Sequence, residues 1–308
     1  MNREERGVQM AFQLSKMETE NIVNRFGQAF YEKVIRDLSF YAKKWKLEIE
    51  SCIDYYSVNC IFICRSALFG PAVLKIGNPS REVRTEANLL KEYNGGRFCK
   101  MYDCDLENGV ILEEYIYPGK RLREEQSLER RLEIFSNLFH GLHIESSQNE
   151  LYPTYFDWVD RIAVYMSKRE DYPELRGQML KARELCSSLC MAYPKKLLLH
   201  GDLHHDNILL GEDGAYKIID PKGVIGDPIF DIPRFILNEF YDRDDVPYEL
   251  YSKHIETISS YFEKSVGVPK DVVLKCVYIE TAMANCWNVE DNEEPNMRYV
   301  LYAEAMMD

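Results

Sequence analysis

Between residues 20 and 45 the apolar side chains Ile22, Phe26, Phe30, Val34, Leu38 and Tyr41 return every three or four positions. That spacing gathers them on one face of an amphipathic helical segment, with a break expected near Gly27. The period then changes. Residues 60–64 (CIFIC) and 72–76 (AVLKI) are short apolar runs parted by a Gly-Pro turn, which predicts an antiparallel strand pair. Residues 82–93 (EVRTEANLLKEY) have a helix-forming composition and stop at Asn94-Gly95-Gly96, a good helix terminator. Two more strand candidates cover residues 100–102 and 110–115. Tyr117-Pro118-Gly119 breaks the pattern, and much of the chain from there to residue 188 reads as helix. A lobe boundary is therefore expected between residues 114 and 119.

The stretch LLLHGDLHHDNILLGEDGAYKIIDPKG (197–223) sets four aspartates, three histidines and one asparagine between apolar runs. Residues 197–199, 208–210 and 215–219 read as short strands, the last two joined through Gly211-Glu212-Asp213-Gly214 as a hairpin. Folding back that hairpin would bring Asp202, Asn207 and Asp220 together. Phosphoryl transfer from a nucleotide needs an oriented acceptor hydroxyl and a hard cation on oxygen ligands. Asp202 suits the first task, as the catalytic base, and Asn207 with Asp220 suits the second, as ligands of Mg2+. His-x-Asp-x-x-x-x-Asn is also the spacing of protein-kinase-type catalytic loops, with Asp220 in the place of the later metal-binding aspartate. The competing reading is that each aspartate simply caps a turn.

Composition narrows the setting. At 308 residues the chain can fill one large domain or two lobes. A formal charge of −13 argues against a nucleic-acid partner and permits a cationic one. No apolar run approaches the roughly 18 residues of a membrane span, and the first residues are charged, so a cytoplasmic protein with no membrane partner is expected. The nine cysteines form no CxxC pair and read as buried thiols. Among the histidines, 204 and 205 should diverge, which disfavours zinc, while His200 suits holding the loop by hydrogen bonds. His140 and His143 read as structural. Asp227 and Asp231 suit capping a helix or bracing the loop.

Upstream, Lys75 inside AVLKI is placed like the kinase strand lysine that holds nucleotide phosphates, with Glu86 on the next helix as its ion-pair partner and Glu82 as a competitor one turn earlier. Leu112, Glu113 and Tyr115 precede the lobe boundary as an adenine-binding hinge would. His-Gly-Asp-Leu-His-His-Asp-Asn followed by Ile-Asp-Pro-Lys-Gly-Val-Ile-Gly-Asp-Pro resembles the aminoglycoside phosphotransferases, most of all the branch with streptomycin 6-kinases and hydroxyurea-resistance kinases. Leu-Lys-Ile-Gly at 74–77, Tyr-Pro-Gly at 117–119 and Trp-Asn-Val-Glu-Asp at 287–291 support it.

The resemblance implies an α+β, bilobal protein-kinase-like fold. Residues 1–115 would form an antiparallel-sheet N-lobe with a leading helical segment, for nucleotide. Residues 116–308 would form a mainly helical C-lobe with the catalytic loop, metal and acceptor site. It implies ATP or GTP with Mg2+ and a small-molecule hydroxyl acceptor. There are departures. No GxGxxG or Walker-A sequence is present, so the turn at Tyr56, Ser57, Val58 and Asn59 is left to meet the phosphates through its backbone. Pro221-Lys222 stands where protein kinases carry Phe-Gly, and no activation segment is evident. Lys222, Trp287, Glu290 and Asp291 are acceptor-site candidates, although the acidic run at 290–294 reads equally as a solvated face. The rival readings are a metabolite kinase of choline, methylthio-sugar or fructosamine type, a protein kinase, and a pseudokinase interaction module.

Overall fold

The computed structural model describes residues 12–53, 58–240, 243 and 245–307. The chain divides between Tyr117 and Pro118 into two compact units.

The N-terminal unit opens with α1 (Lys16–Phe26) and α2 (Gln28–Lys44). The break between them falls on Gly27, whose φ of 87° few residues other than glycine adopt without strain. Ser15 and Glu18 cap α1 reciprocally. The strands β1 (Leu47–Cys52), β2 (Cys60–Ser66), β3 (Gly70–Ile76), β4 (Met101–Asp105) and β5 (Val110–Glu114) form an antiparallel sheet in the order β1-β2-β3-β5-β4. The period-two pattern decides which face each residue joins. Cys60, Phe62, Leu74, Ile76, Val110 and Leu112 pack with Phe30, Val34, Leu38 and Tyr41 of α2. On the opposite face Ile111 packs with Val83 and Ala87 of α3 (Arg81–Tyr93). Each such apolar side chain contributes about 1.5–3 kcal/mol on burial. Lys75, between Leu74 and Ile76, therefore points to the α3 face. Asn94 ends α3 in the left-handed conformation.

The C-terminal unit begins with β6 (Pro118–Arg121), followed by α4 (Leu128–Phe139), α5 (Tyr155–Ser167) and α6 (Pro173–Ala192). The helix expected through to residue 188 is thus three helices. Between α4 and α5 the chain is irregular, and Ile144 bridges Leu198. Then come β7 (Leu197–Leu199), β8 (Ile208–Gly211), β9 (Tyr216–Ile218) and β10 (Val224–Gly226). They form a β6-β8-β9 sheet and a β10-β7 pair. The helices α7 (Ile232–Asn238), α8 (Tyr248–Ser265), α9 (Lys270–Glu290) and α10 (Met297–Ala305) complete the unit. α9 is the central element, buried along most of its length. Among the described residues no helix is long and apolar enough to cross a membrane.

Candidate active site

Within the N-terminal unit, Lys75 lies between two carboxylates: its Nζ is 2.7 Å from Glu86 and 2.8 Å from Glu113. Glu86 rather than Glu82 meets the lysine, because position 86 faces the sheet while Glu82 is exposed. Lys75 is 4% exposed, and a buried ammonium persists only where partners of this kind surround it. The role expected for Leu112 and Glu113 needs correction. Both lie inside β5, which is paired with β3 on one edge and β4 on the other, so their backbone groups serve the ladder and not a base. Glu113 contributes its side chain instead. The pairing runs on past Glu114, since the Tyr115 N–H still reaches the Pro71 carbonyl of β3 at 3.4 Å. Ser57 lies outside the described residues. Val58 is exposed, and the Asn59 side chain packs so closely on Gly77 that a Cβ there would sit 2.0 Å from its Oδ1.

In the C-terminal unit the 200–207 loop follows β7 and is held mainly by Asp231. One Asp231 oxygen accepts the His200 N–H at 2.8 Å, the other accepts the Gly201 N–H at 2.7 Å, and His143 Nε2 approaches at 2.9 Å. The carboxyl of Asp231 is 1% exposed; burial is the largest influence and pushes it up, but the His143 bond and charge, His200 and the Gly201 N–H together outweigh this and hold it below the usual carboxylate range. Asp231 is thus the loop's brace, while Asp227 caps the turn before α7 through Ile229. The tautomer of His200 follows from its two partners. Nδ1 accepts the Asp202 N–H at 3.0 Å, so Nε2 carries the proton and donates to the Ile219 carbonyl at 2.9 Å. Burial keeps this ring neutral by pushing its pKa down. One imidazole therefore ties the loop to the end of β9.

The hairpin brings the expected residues together. The Asn207 amide donates to the Asp202 carbonyl at 2.9 Å, which fixes its orientation and turns Oδ1 away from that contact. Ile219 N–H donates to the Asn207 carbonyl at 3.0 Å, which places Asp220 beside Asn207 across the hairpin. Asp220 has φ 56°, a left-handed conformation. One amide oxygen and one carboxylate are hard donors, and such a pair fits Mg2+, which keeps several of its waters and takes phosphate oxygens as further ligands. Asp206 is held by the Arg123 fork at 2.8 and 2.7 Å. Lys222 N–H and Gly223 N–H both reach the His200 carbonyl.

Asp202 has a cationic neighbour absent from the sequence expectations. Arg234, on α7, brings Nε to 3.0 Å from Asp202 Oδ1 and Nη2 to 3.2 Å from Glu280 of α9. Tyr155 donates to the other Glu280 oxygen at 2.9 Å. The Arg234 guanidinium also lies over the Trp287 ring, 4.9 Å from its centroid. Although burial pushes the Asp202 carboxyl up, Arg234, then His204 and Lys222, hold it below the usual range. Glu280 is pushed up by burial. A lone Arg inside IFDIPRFIL and a lone Glu inside VYIETAMA are the signals that could have found this pair, since a charge in an apolar run demands a partner. Of the other acceptor candidates, Glu290 pairs with Arg161 at 2.7 and 3.1 Å, while Asp291 caps the end of α9 and is exposed.

An antiparallel-sheet unit carrying a buried Lys–Glu pair, followed by a helical unit with this loop and hairpin, defines the protein-kinase-like α+β fold. Known structures share it. The choline kinase LicA of Streptococcus pneumoniae aligns with TM-score 0.62 at 16% identity, covering 90% of this chain and 98% of that one. A spectinomycin phosphotransferase solved with ADP and spectinomycin aligns with TM-score 0.53 at 12% identity, covering 89% and 94%. Residues 57–292 match the aminoglycoside/hydroxyurea antibiotic resistance kinases, and the chain belongs to that family. Among curated relatives, the streptomycin 6-kinase of Streptomyces griseus is 25% identical over 61% of this chain, and the hydroxyurea phosphotransferase of Kitasatospora aureofaciens 24% over 70%. The chain spans 62% and 64% of the lengths of those two proteins.

Proposed function

We propose that the protein is a cytoplasmic small-molecule kinase that transfers the gamma phosphate of ATP or GTP to a hydroxyl of an aminoglycoside-like or amino-sugar-like acceptor, which carries positive charge. The observation that carries this reading is the constellation of Asp202, Asn207 and Asp220 on one loop and hairpin, braced by Asp231 and His200. Asp202 accepts a hydrogen bond from the acceptor hydroxyl, points its oxygen at the gamma phosphorus and takes the proton as the oxygen–phosphorus bond forms and the bond from phosphorus to the β–γ bridging oxygen breaks, releasing the nucleoside diphosphate. Asn207 and Asp220 hold Mg2+, which when bound neutralises charge on the phosphate oxygens. Lys75 pairs with the phosphates and Glu86 keeps its ammonium in place. The low basicity of Asp202 suits orienting the hydroxyl more than early deprotonation, as a loose phosphoryl-transfer transition state requires.

Purified protein with ATP or GTP and magnesium, screened by mass spectrometry against aminoglycosides, amino sugars, hydroxyurea and choline, tests this. A product heavier by one phosphoryl group is expected with an aminoglycoside or amino sugar. Asp202→Asn should lower its rate of formation by about 10² to 10⁴ with nucleotide affinity little changed. A choline product in place of these would favour the metabolite-kinase reading. Phosphorylation that survives unchanged in Asp202→Asn would remove Asp202 from the base role.

A further inference from the structure

The Arg234 network has the composition of a cation site that is already filled. A Trp face, two carboxylates and a tyrosine hydroxyl behind one of them are the groups that would receive a substrate ammonium. Here Arg234 supplies the cation from within the chain: 4.9 Å over Trp287, 3.0 Å from Asp202 and 3.2 Å from Glu280. The guanidinium is not placed for hydrogen bonding alone. Its Nε is buried, lies at ion-pair distance from Asp202 and yet makes no aligned hydrogen bond. Burial lowers its pKa, but Glu280 and Asp202 outweigh that and keep it charged. Removing such a cation would leave the buried Glu280 and the half-buried Asp202 carboxylates facing each other's field, so the arrangement demands an occupant.

We propose that Arg234 is the positioning residue of Asp202 and at the same time closes the Trp287–Glu280–Asp202 cage to the acceptor's own cation. Its guanidinium holds Asp202 Oδ1 and presents the opposite oxygen to a hydroxyl. An ammonium on the acceptor is then excluded from Trp287 and must be recognised elsewhere, which makes Arg234 a determinant of specificity against quaternary ammonium alcohols. The positioning half of this proposal rests on the kinase reading above; the cage half does not.

The test uses the full-length chain with Arg234→Ala, Arg234→Lys and the double variant Arg234→Ala/Trp287→Ala. In Arg234→Ala we expect kcat for the best acceptor to fall about 10²-fold, with magnesium-dependent nucleotide binding within twofold of the parent. Guanidinium ion at tens of millimolar should restore at least tenfold of that loss. Arg234→Lys, which keeps the charge without the planar fork, should recover only part. Independently of turnover, calorimetric titration with choline should give no binding to the parent, binding to Arg234→Ala, and none to the double variant. Should Arg234→Ala fail to fold, Arg234→Gln, which removes the charge but keeps much of the side-chain volume, carries the same comparisons with a smaller expected change. Near-normal kcat in Arg234→Ala, or loss that guanidinium does not restore, overturns the positioning role. Choline binding by the parent that Trp287→Ala abolishes overturns the closed cage. A parent enzyme that phosphorylates nothing would sink the kinase reading, and the choline titration would still decide the cage.

Discussion

Asp220 occupies a backbone conformation that decides how it can be tested. At φ 56° a side chain with a Cβ is strained, and Asn and Asp bear the strain best. Asp220→Asn therefore removes the charge and spares the backbone, whereas Asp220→Ala adds a folding cost of about 1 kcal/mol. The magnesium concentration needed for nucleotide binding should rise about tenfold in both, and the urea midpoint should drop only in the alanine variant. Calorimetry with and without magnesium and a urea titration separate the two effects; unchanged magnesium dependence removes Asp220 from the metal site. His205 poses a sharper choice. It lies 2.7 Å from Glu239, an arrangement that invites a charged imidazole, yet burial pushes its pKa down and its Nδ1 is buried without a hydrogen-bond partner. A second N–H there would be unsatisfied, and Glu239 is already served by Arg131 at 2.8 and 2.6 Å, so the neutral ring wins. A depressed folded pKa contributes stability above the ordinary histidine value of about 6.5 that is lost as pH falls through it. The stability gap between parent and His205→Asn should therefore narrow from pH 7.5 to 5.5. A gap that widens would mean that His205 is protonated in the fold.

Elements differ in how far local pattern determines them. The β8–β9 hairpin, the break at Gly27 and the end of α3 at Asn94 were legible because a period or a turn residue encodes each within a few positions. Lys75 was singled out by its place inside the AVLKI run, and its pairing with Glu86 on the next helix was expected with it. β6 and β10 were not legible: four and three residues carry no period, and their partners β8 and β7 are far away in sequence. Arg234, Glu280 and Tyr155 were missed for the same reason at the level of side chains, since α5, α7 and α9 bring them together only in the folded unit. That the backbone of Leu112 and Glu113 is taken up by the sheet was not legible, because an apolar run shows that Leu112 is buried but not that β5 is flanked on both edges. The loop after β7 gives a prediction at this scale. Gly201 has φ 81°, and a Cβ there would lie 2.8 Å from the Trp158 ring and 3.2 Å from Val224. Gly201→Ala should lose about 2–4 kcal/mol, from left-handed strain and overpacking together. Adding Trp158→Ala removes the clash but not the strain, so in a double-mutant cycle by urea unfolding the two losses should sum to less than additive. Full additivity would mean that Trp158 does not confine the loop.

For the whole molecule, charge is the property most exposed to test. Fifty-one acidic residues against 38 basic ones give −13, but a small acceptor senses only charges within about a Debye length, near 8 Å at physiological ionic strength. Pairing has already spent part of the acidic run at the end of α9, because Glu290 is held by Arg161, whereas Asp291, Glu293 and Glu294 stay exposed. Exposed pairs attract by about 1 kcal/mol at 4 Å in water, so a cationic acceptor meeting one or two of them gains a factor of about five to thirty in affinity at low salt. The Michaelis constant of the best cationic acceptor should then rise several-fold between about 0.05 and 0.3 M salt, while nucleotide affinity, which the proposed function assigns to Lys75 and the metal ligands, should follow its own course. Neutralising Asp291 to Asn should reduce that salt dependence more than Glu290→Gln does, because the latter also frees Arg161 to meet other carboxylates. A salt-independent constant for a cationic acceptor, or a best acceptor that is neutral, would mean that the excess of acidic residues plays no part in recognition and that the hydroxyl geometry at Asp202 alone selects the substrate.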